Sequence, residues 1–167
     1  MKLSDLRNND TSWRIVVLNG PNTKAAIDSI GNFNELLHGW ADELGVEIDH
    51  FQSNHEGKIL EYIHANVPTA NGFLVNPGGL TSVGESLRHA LKDSFRPTSV
   101  VHFHNAELGE PSIFSPSVTC ISSGLDYFSY LSGLISLVLA LDDMDFLNPE
   151  GNSATNRSHG TPKSLFV

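Results

Sequence analysis

One cysteine, Cys120, is all the thiol chemistry in a chain of 167 residues. A lone thiol excludes an intrachain disulfide framework and the usual multi-cysteine zinc sites, and it fits a reducing compartment. Positive charge is scarce too: 10 Lys and Arg stand against 19 Asp and Glu, for a formal net charge of −9. The basic residues form no cluster, so nothing replaces counterions along a phosphate backbone, and nucleic acid is not the expected partner. Acidity of this kind favours solubility, and it obliges any anionic ligand to find local compensation. Long apolar runs are missing as well. The longest mostly apolar stretch, LISLVLAL at 134–141, is far too short to span a membrane. The first residues, MKLSDLRNNDTSW, are polar and hold no apolar core segment. They do not read as a signal peptide, and a cytoplasmic location is expected. There is no GxSxG elbow, no glycine fingerprint for phosphate and no internal repeat.

What is present alternates. RIVVLN (14–19) is a strand of the buried type. From Asn32 the period becomes helical, with Phe33, Leu36, Leu37, Trp40 and Leu44 on one face. Asn32 with Glu35 suggests a capping box, and Gly45 stands where a C′ glycine belongs. The strand VEIDHF (46–51) is followed by a helix carrying Ile59, Leu60, Ile63 and Val67. GFLVN (72–76) leads to a helix with Val83, Leu87, Ala90 and Leu91 on its apolar side. SVVHF (99–103) and VTCI (118–121) supply two further strands, and 125–141 reads as a largely apolar helix, buried in the fold or between subunits. Strand–helix alternation predicts an α/β three-layer sandwich with a five-stranded parallel sheet, flavodoxin-like in order. The expected division is a polar extension at 1–13, one α/β domain at 14–141, and an acidic then polar tail at 142–167. Its last residues, Leu165, Phe166 and Val167, are an alternative docking segment for a neighbouring subunit.

Polar clusters close four of the strands: LNGPN (18–22), QSNHEG (52–57), NPGG (76–79) and VHFHN (101–105). Ligands of open α/β sheets bind at those strand ends, so the four converge on one site for a small polar molecule. The glycines of NPGG support a tight strand-to-helix turn with exposed amides, suited to an anionic or carbonyl oxygen.

In this order the clusters resemble the type II dehydroquinases, whose successive strands close with NGPN, QSNxEG, NPG and VHxSN. The resemblance extends to NELLHGWADELGV, LRHAL and SPSVTCISSGL with Tyr130, and covers about residues 14–141. It implies a small cytoplasmic enzyme of the shikimate or quinate pathway that works without metal or cofactor. It also implies trimers, commonly assembled into dodecamers. Family members eliminate water from 3-dehydroquinate through an enolate. A lid tyrosine, activated by an arginine, takes the proton; the histidine of VH protonates the leaving hydroxyl; and the asparagine of NGPN holds a water on the enolate.

Carried over residue by residue, the resemblance makes His102 the acid and Asn22 the enolate-side group. Asn76, Gly78, Ser82, Phe103 and His104 become substrate contacts, with His89 reaching in from a neighbouring subunit. The departures from the family pattern are equally specific. Between Asn22 and the first helix stands only TKAAIDSIGNF, a short loop with neither Tyr nor Arg. No arginine occurs between Arg96 and Arg157. Ser82 replaces a pocket histidine, His104 a carboxylate-binding serine, and Val100 the acid that supports His102. Val100, His102 and His104 are expected on one face of their strand, with the pKa of His102 lowered. Acid–base groups contribute about 10²–10⁴-fold each. Their joint loss predicts a divergent lyase acting on a cyclic or polyhydroxylated carbonyl compound, with a bound hydroxyl, a water or His104 as base. Lys24 and Asp28 are weaker candidates to replace the lost pair.

Each residue also has a structural explanation. Asparagines stabilise turns, Glu56 and Ser82 suit helix starts, and Cys120 suits strand packing. His102 with His104 lacks a third ligand for a metal unless His55 supplies it. Three other readings stay open: a 3-dehydroquinate dehydratase with a rebuilt lid, a cofactor-free hydrolase, and a non-catalytic oligomeric binding protein.

Overall fold

The strand Arg14–Asn19 (β1) is apolar almost throughout because both its faces are covered, and it lies inside the sheet rather than at an edge. The computed structural model describes residues 1–105 and 111–143. Around β1 it arranges Glu47–Gln52 (β2), Gly72–Asn76 (β3), Thr98–His102 (β4) and Cys120–Ser123 (β5) in the order β2-β1-β3-β4-β5. Every pairing is parallel. Five helices complete the alternation: α1 (Lys24–Ile30), α2 (Phe33–Leu44), α3 (Glu56–Asn66), α4 (Glu85–Asp93) and α5 (Phe128–Asp142).

Alternation along the strands divides the core in two. Ile15, Val17, Leu74 and Val101 pack with Ile27 of α1, with Phe33, Leu37, Ala41 and Leu44 of α2, and with α5. Val16, Leu18, Phe73, Val75 and Val100 pack with Ile59 and Ile63 of α3 and with Leu87 and Leu91 of α4. The chain therefore has three layers, and the strand order reverses direction between β1 and β3. At that point helices depart to opposite faces and leave a crevice at the carboxyl edge.

The apolar α5 is covered by its own sheet. Tyr130, Leu134, Leu137, Val138 and Leu141 are buried, and a Cβ on Gly133 would stand 2.5 Å from Val101 Cγ1 and 2.9 Å from Leu74 Cδ1. Glycine is what lets this helix lie so close to β3 and β4.

Several expectations need correction. The supposed loop after Asn22 contains α1, a two-turn helix. Asn32 makes no side-chain cap for α2, whereas Gly45 does close that helix in the left-handed region at φ 67°. Val46 still donates to the Ala41 carbonyl, so β2 begins at Glu47. Val83 is 70% exposed, because Thr81 and Val83 belong to the turn before α4. A 3-10 turn at Ser115–Ser117 delays β5 to Cys120.

The polar extension is anchored. Arg7 Nε and Nη2 reach the two Asp142 carboxylate oxygens at 2.7 and 3.0 Å, and Trp13 Nε1 donates to Asp142 Oδ1 at 2.7 Å. Arg7 also donates to the carbonyls of Leu44 and Thr11. Asp142, read above as the first residue of the tail, is instead the last residue of α5. The tail beyond Asp143 and residues 106–110 after VHFHN lie outside the described residues. Among those described, no helix is long and apolar enough to cross a membrane.

Candidate functional site

Backbone hydrogen bonds lash the strand-end clusters together. The amide of Gly20 donates to the Asn76 carbonyl at 2.8 Å, Gly79 to the Pro21 carbonyl at 2.8 Å, and Ser53 to the Asn19 carbonyl at 3.0 Å. Asn22 stands in the left-handed region at φ 66°, which asparagine tolerates, and its amide donates to Asn54 Oδ1 at 3.1 Å. Two glycines make the approach feasible. A Cβ on Gly20 would lie 2.3 Å from the Pro77 carbonyl oxygen, and one on Gly78 (φ 54°) would lie 2.3 Å from that of Pro21. NGPN, QSNHEG and NPGG thus form one rim, set mainly by main-chain hydrogen bonds.

Beside this rim opens a cleft of about 670 Å³. Asn22, Asn76 and Gly78 form its floor; Thr23, Ala26, Ser29 and Ile30 of α1 and its N-terminal turn form one wall; Asn32 and Leu36 continue that wall; and Phe103, His104, Asp126 and Tyr127 close it opposite. That wall is helical over Lys24–Ile30. Among the described residues no Lys or Arg lines the cleft, while Asp126 does. Tyr127 stacks on Trp40 with an interplanar angle of 3°, extending the apolar rim.

The residues singled out in the sequence divide. Asn22, Asn76, Gly78, Phe103 and His104 meet in the cleft. His102, Ser82 and His89 are not among its lining residues. His102 ends β4 on the face of Val100, toward α3 and α4, because alternate strand residues share a side. The strand stops there, so His104 does not follow the alternation and turns to the cleft beside Phe103. His102 is 9% exposed, and its Nε2 has no hydrogen-bond partner. Burial holds its pKa below the ordinary imidazole value, in the direction expected. Ser82 donates to the Pro111 carbonyl at 3.2 Å, and Gly84, not Ser82, occupies the N-cap of α4. Glu56 opens α3 but accepts from the Leu87 amide of α4 at 3.3 Å, bracing one helix on the next. His89 is exposed on α4, with its ring nitrogen 2.9 Å from Arg88 Nη2. Lys24 and Asp28 pair with each other at 2.7 Å on the outer side of α1 and do not line the cleft. Burial raises the pKa of the Cys120 thiol, consistent with packing rather than nucleophilic attack. Among the described residues no group of three or more His, Cys, Asp or Glu is placed to hold a metal ion.

Two residues without a role assigned above prove central. Tyr130 is fully buried, and its hydroxyl accepts from Asn76 Nδ2 at 2.9 Å and donates to Asn19 Oδ1. Burial raises its pKa far beyond the ordinary phenol value, so it is a fixed hydrogen-bonding group and not a base. Asn19 in turn meets His50 Nε2 at 2.6 Å. A polar residue at the buried end of an apolar strand was the available signal for Asn19, whereas nothing local marked Tyr130. Asp126 and Tyr127 were hidden in the turn before α5, where sequence pattern carries little information.

Comparison with known proteins agrees with this fold. The family model described as "Dehydroquinase class II" matches residues 13–138. The 3-dehydroquinate dehydratase of Halothermothrix orenii is 33% identical over 138 residues, which are 75% of this chain and 93% of that protein. The 3-dehydroquinate dehydratase 1 of Corynebacterium efficiens is 35% identical over 133 residues, 70% of this chain and 86% of that protein. Among solved structures, the type II dehydroquinase of Propionibacterium acnes superposes with a TM-score of 0.70 at 24% identity, covering 77% of this chain and 99% of that one. A 3-dehydroquinate dehydratase-like protein from Bifidobacterium longum gives a TM-score of 0.59 at 22% identity, covering 77% and 97%. The two solved structures speak for the fold.

Proposed function

The chain belongs to the class II dehydroquinase family, and from that premise we propose that it is a lyase eliminating water from an uncharged cyclic β-hydroxy carbonyl compound. The observation carrying this reading is a cleft built on the family's strand-end clusters but lined, among the described residues, by Asp126 and by no Lys or Arg. In the proposed reaction the substrate carbonyl lies on the floor beside Asn22, whose carboxamide supports the enolate oxygen. His104 takes the acidic C–H proton. The departing hydroxyl takes its proton from cleft water, because His102, which stands in the family's acid position, keeps its Nε2 buried outside the cleft lining. Phe103, Tyr127 and Leu36 cover the ring. Neither a metal nor a cofactor takes part.

A second reading is 3-dehydroquinate dehydratase itself. The relatives at 33% and 35% identity carry that name, and Asn22, Asn76 and His102 match the family pattern. The two readings differ over a carboxylate. Buried beside Asp126 without a cationic partner, a carboxylate costs about 1–3 kcal/mol, or roughly 5–150-fold in rate. The test compares 3-dehydroquinate with its methyl ester, following the conjugated enone. A kcat/KM at least about tenfold higher for the ester supports the proposal. Preference for the free acid overturns it in favour of the second reading.

Trimeric assembly belongs to the same proposal. His89, with a side chain 62% exposed, reaches a second subunit's cleft, and its replacement by alanine raises KM while leaving the isolated fold intact.

A further inference from the structure

A single backbone amide fixes the direction of every hydrogen bond in the buried network behind the cleft. The Gly78 N–H can only donate, so the Asn76 atom 3.0 Å from it is the carbonyl oxygen Oδ1. Asn76 Nδ2 then faces the Tyr130 hydroxyl as a donor at 2.9 Å. The hydroxyl accepts there and gives its own proton to Asn19, whose contacting atom must be Oδ1. Asn19 is left with Nδ2 toward His50 at 2.6 Å, so His50 Nε2 is an acceptor and the ring is neutral. No step in this sequence is reversible by itself.

We propose that His50, Asn19 and Tyr130 form a directional relay that positions Asn76 on the cleft floor and passes the protonation of His50 to it. This rests on the reading above only in taking Asn76 as a ligand-holding group. When Nε2 takes a proton, two donors oppose each other at the Asn19–His50 contact. Turning the Asn19 amide relieves that clash but aims Nδ2 at the Tyr130 hydroxyl, which already accepts from Asn76 and would lose the acceptor for its own proton. Asn76 cannot turn in compensation, because the Gly78 amide needs Oδ1. The mismatch therefore ends at Asn76 and the Gly78 turn, on the cleft floor.

The surroundings of His50 allow it to titrate. Its ring is half-buried on β2, with the Phe33 ring of α2 edge-on at a centroid distance of 6.0 Å. His38 of α2 disfavours its charge, and Asp49, itself paired with Arg14 at 2.7 Å, favours it. Burial is the larger influence and, with His38, holds the pKa of His50 below the ordinary value.

The experiment is a pH titration of the full chain by nuclear magnetic resonance, from about pH 8 to about pH 5, following the His50 ring and the Asn76 side-chain amide. It uses no substrate, so failure of the elimination reading does not affect it, and its own failure leaves that reading standing. The relay predicts that the Asn76 amide signals shift with the midpoint of His50. In His50→Gln, whose side chain keeps an acceptor but no titration, the Asn76 shift is lost. In Tyr130→Phe, His50 still titrates and Asn76 no longer follows. Asn76 signals indifferent to His50 in the unaltered protein overturn the proposal, as does coupling that survives unchanged in Tyr130→Phe. Should Tyr130→Phe fail to fold, the unaltered protein and His50→Gln decide the matter by themselves.

Discussion

Replacing Arg7 with leucine should destabilise the protein far more than an N-terminal surface residue ordinarily would. The Arg7 and Asp142 side chains are 8% and 0% exposed, and the guanidinium binds both carboxylate oxygens and two backbone carbonyls. Leucine removes the cation and leaves Asp142 buried with, among the described residues, Trp13 Nε1 and the Asn8 amide as donors to its carboxylate. Breaking one side of such a pair costs about 3–5 kcal/mol. For a chain of this size that lowers the melting temperature by roughly 6–20 °C. The loss has a pH signature. Burial on its own raises the Asp142 carboxyl, but the Arg7, Trp13 and Asn8 hydrogen bonds outweigh it and hold the group below its ordinary value. A depressed carboxyl contributes stability that is complete above the unfolded pKa and disappears as pH falls through the folded one. The difference between the two proteins in urea unfolding should therefore be largest near neutrality and narrow as the carboxyl protonates. A loss under about 1 kcal/mol, or one that does not change with pH, would refute this account of the anchor.

Other expectations follow from the same contacts. Gly133→Ala places a methyl group 2.5 Å from Val101 Cγ1 and should cost about 1–3 kcal/mol in chemical unfolding; a neutral result would mean that α5 is free to slide on the sheet. His50 and His102 both titrate below the ordinary imidazole value. The unfolded chain consequently binds more protons in that range, and stability should fall as pH drops below the unfolded value of about 6.5. Part of that acid sensitivity should vanish in His102→Gln, read by thermal melts across the range.

Much of the fold was legible because its signals are local. β1 and β3 could be bounded to the residue, since each is an apolar run closed by an asparagine. Gly45 announced the end of α2 through the left-handed conformation that glycine adopts without strain. α1 escaped notice because KAAIDSI offers a single buried position, Ile27, and hence no visible period. The cleft was partly legible for a similar reason. Strand-end motifs fix Asn22, Asn76 and Gly78, but the wall opposite comes from residues 103–104 and 126–127, distant in sequence and in turns. The face of His104 was misassigned because alternation holds only while the strand continues, and β4 ends at His102. Tyr130 and Asn19 are joined across 111 residues, a contact that no periodicity encodes.

The central claim is that the cleft at the β1–β3 edge performs an elimination. Its most direct test is enone formation from the methyl ester of 3-dehydroquinate by the unaltered protein and by Asn22→Ala and His104→Ala. The account predicts turnover in the first and a loss of about 10²-fold or more in each variant, with folding unchanged by circular dichroism. Turnover that survives both substitutions, or no turnover by the folded unaltered protein, would contradict it.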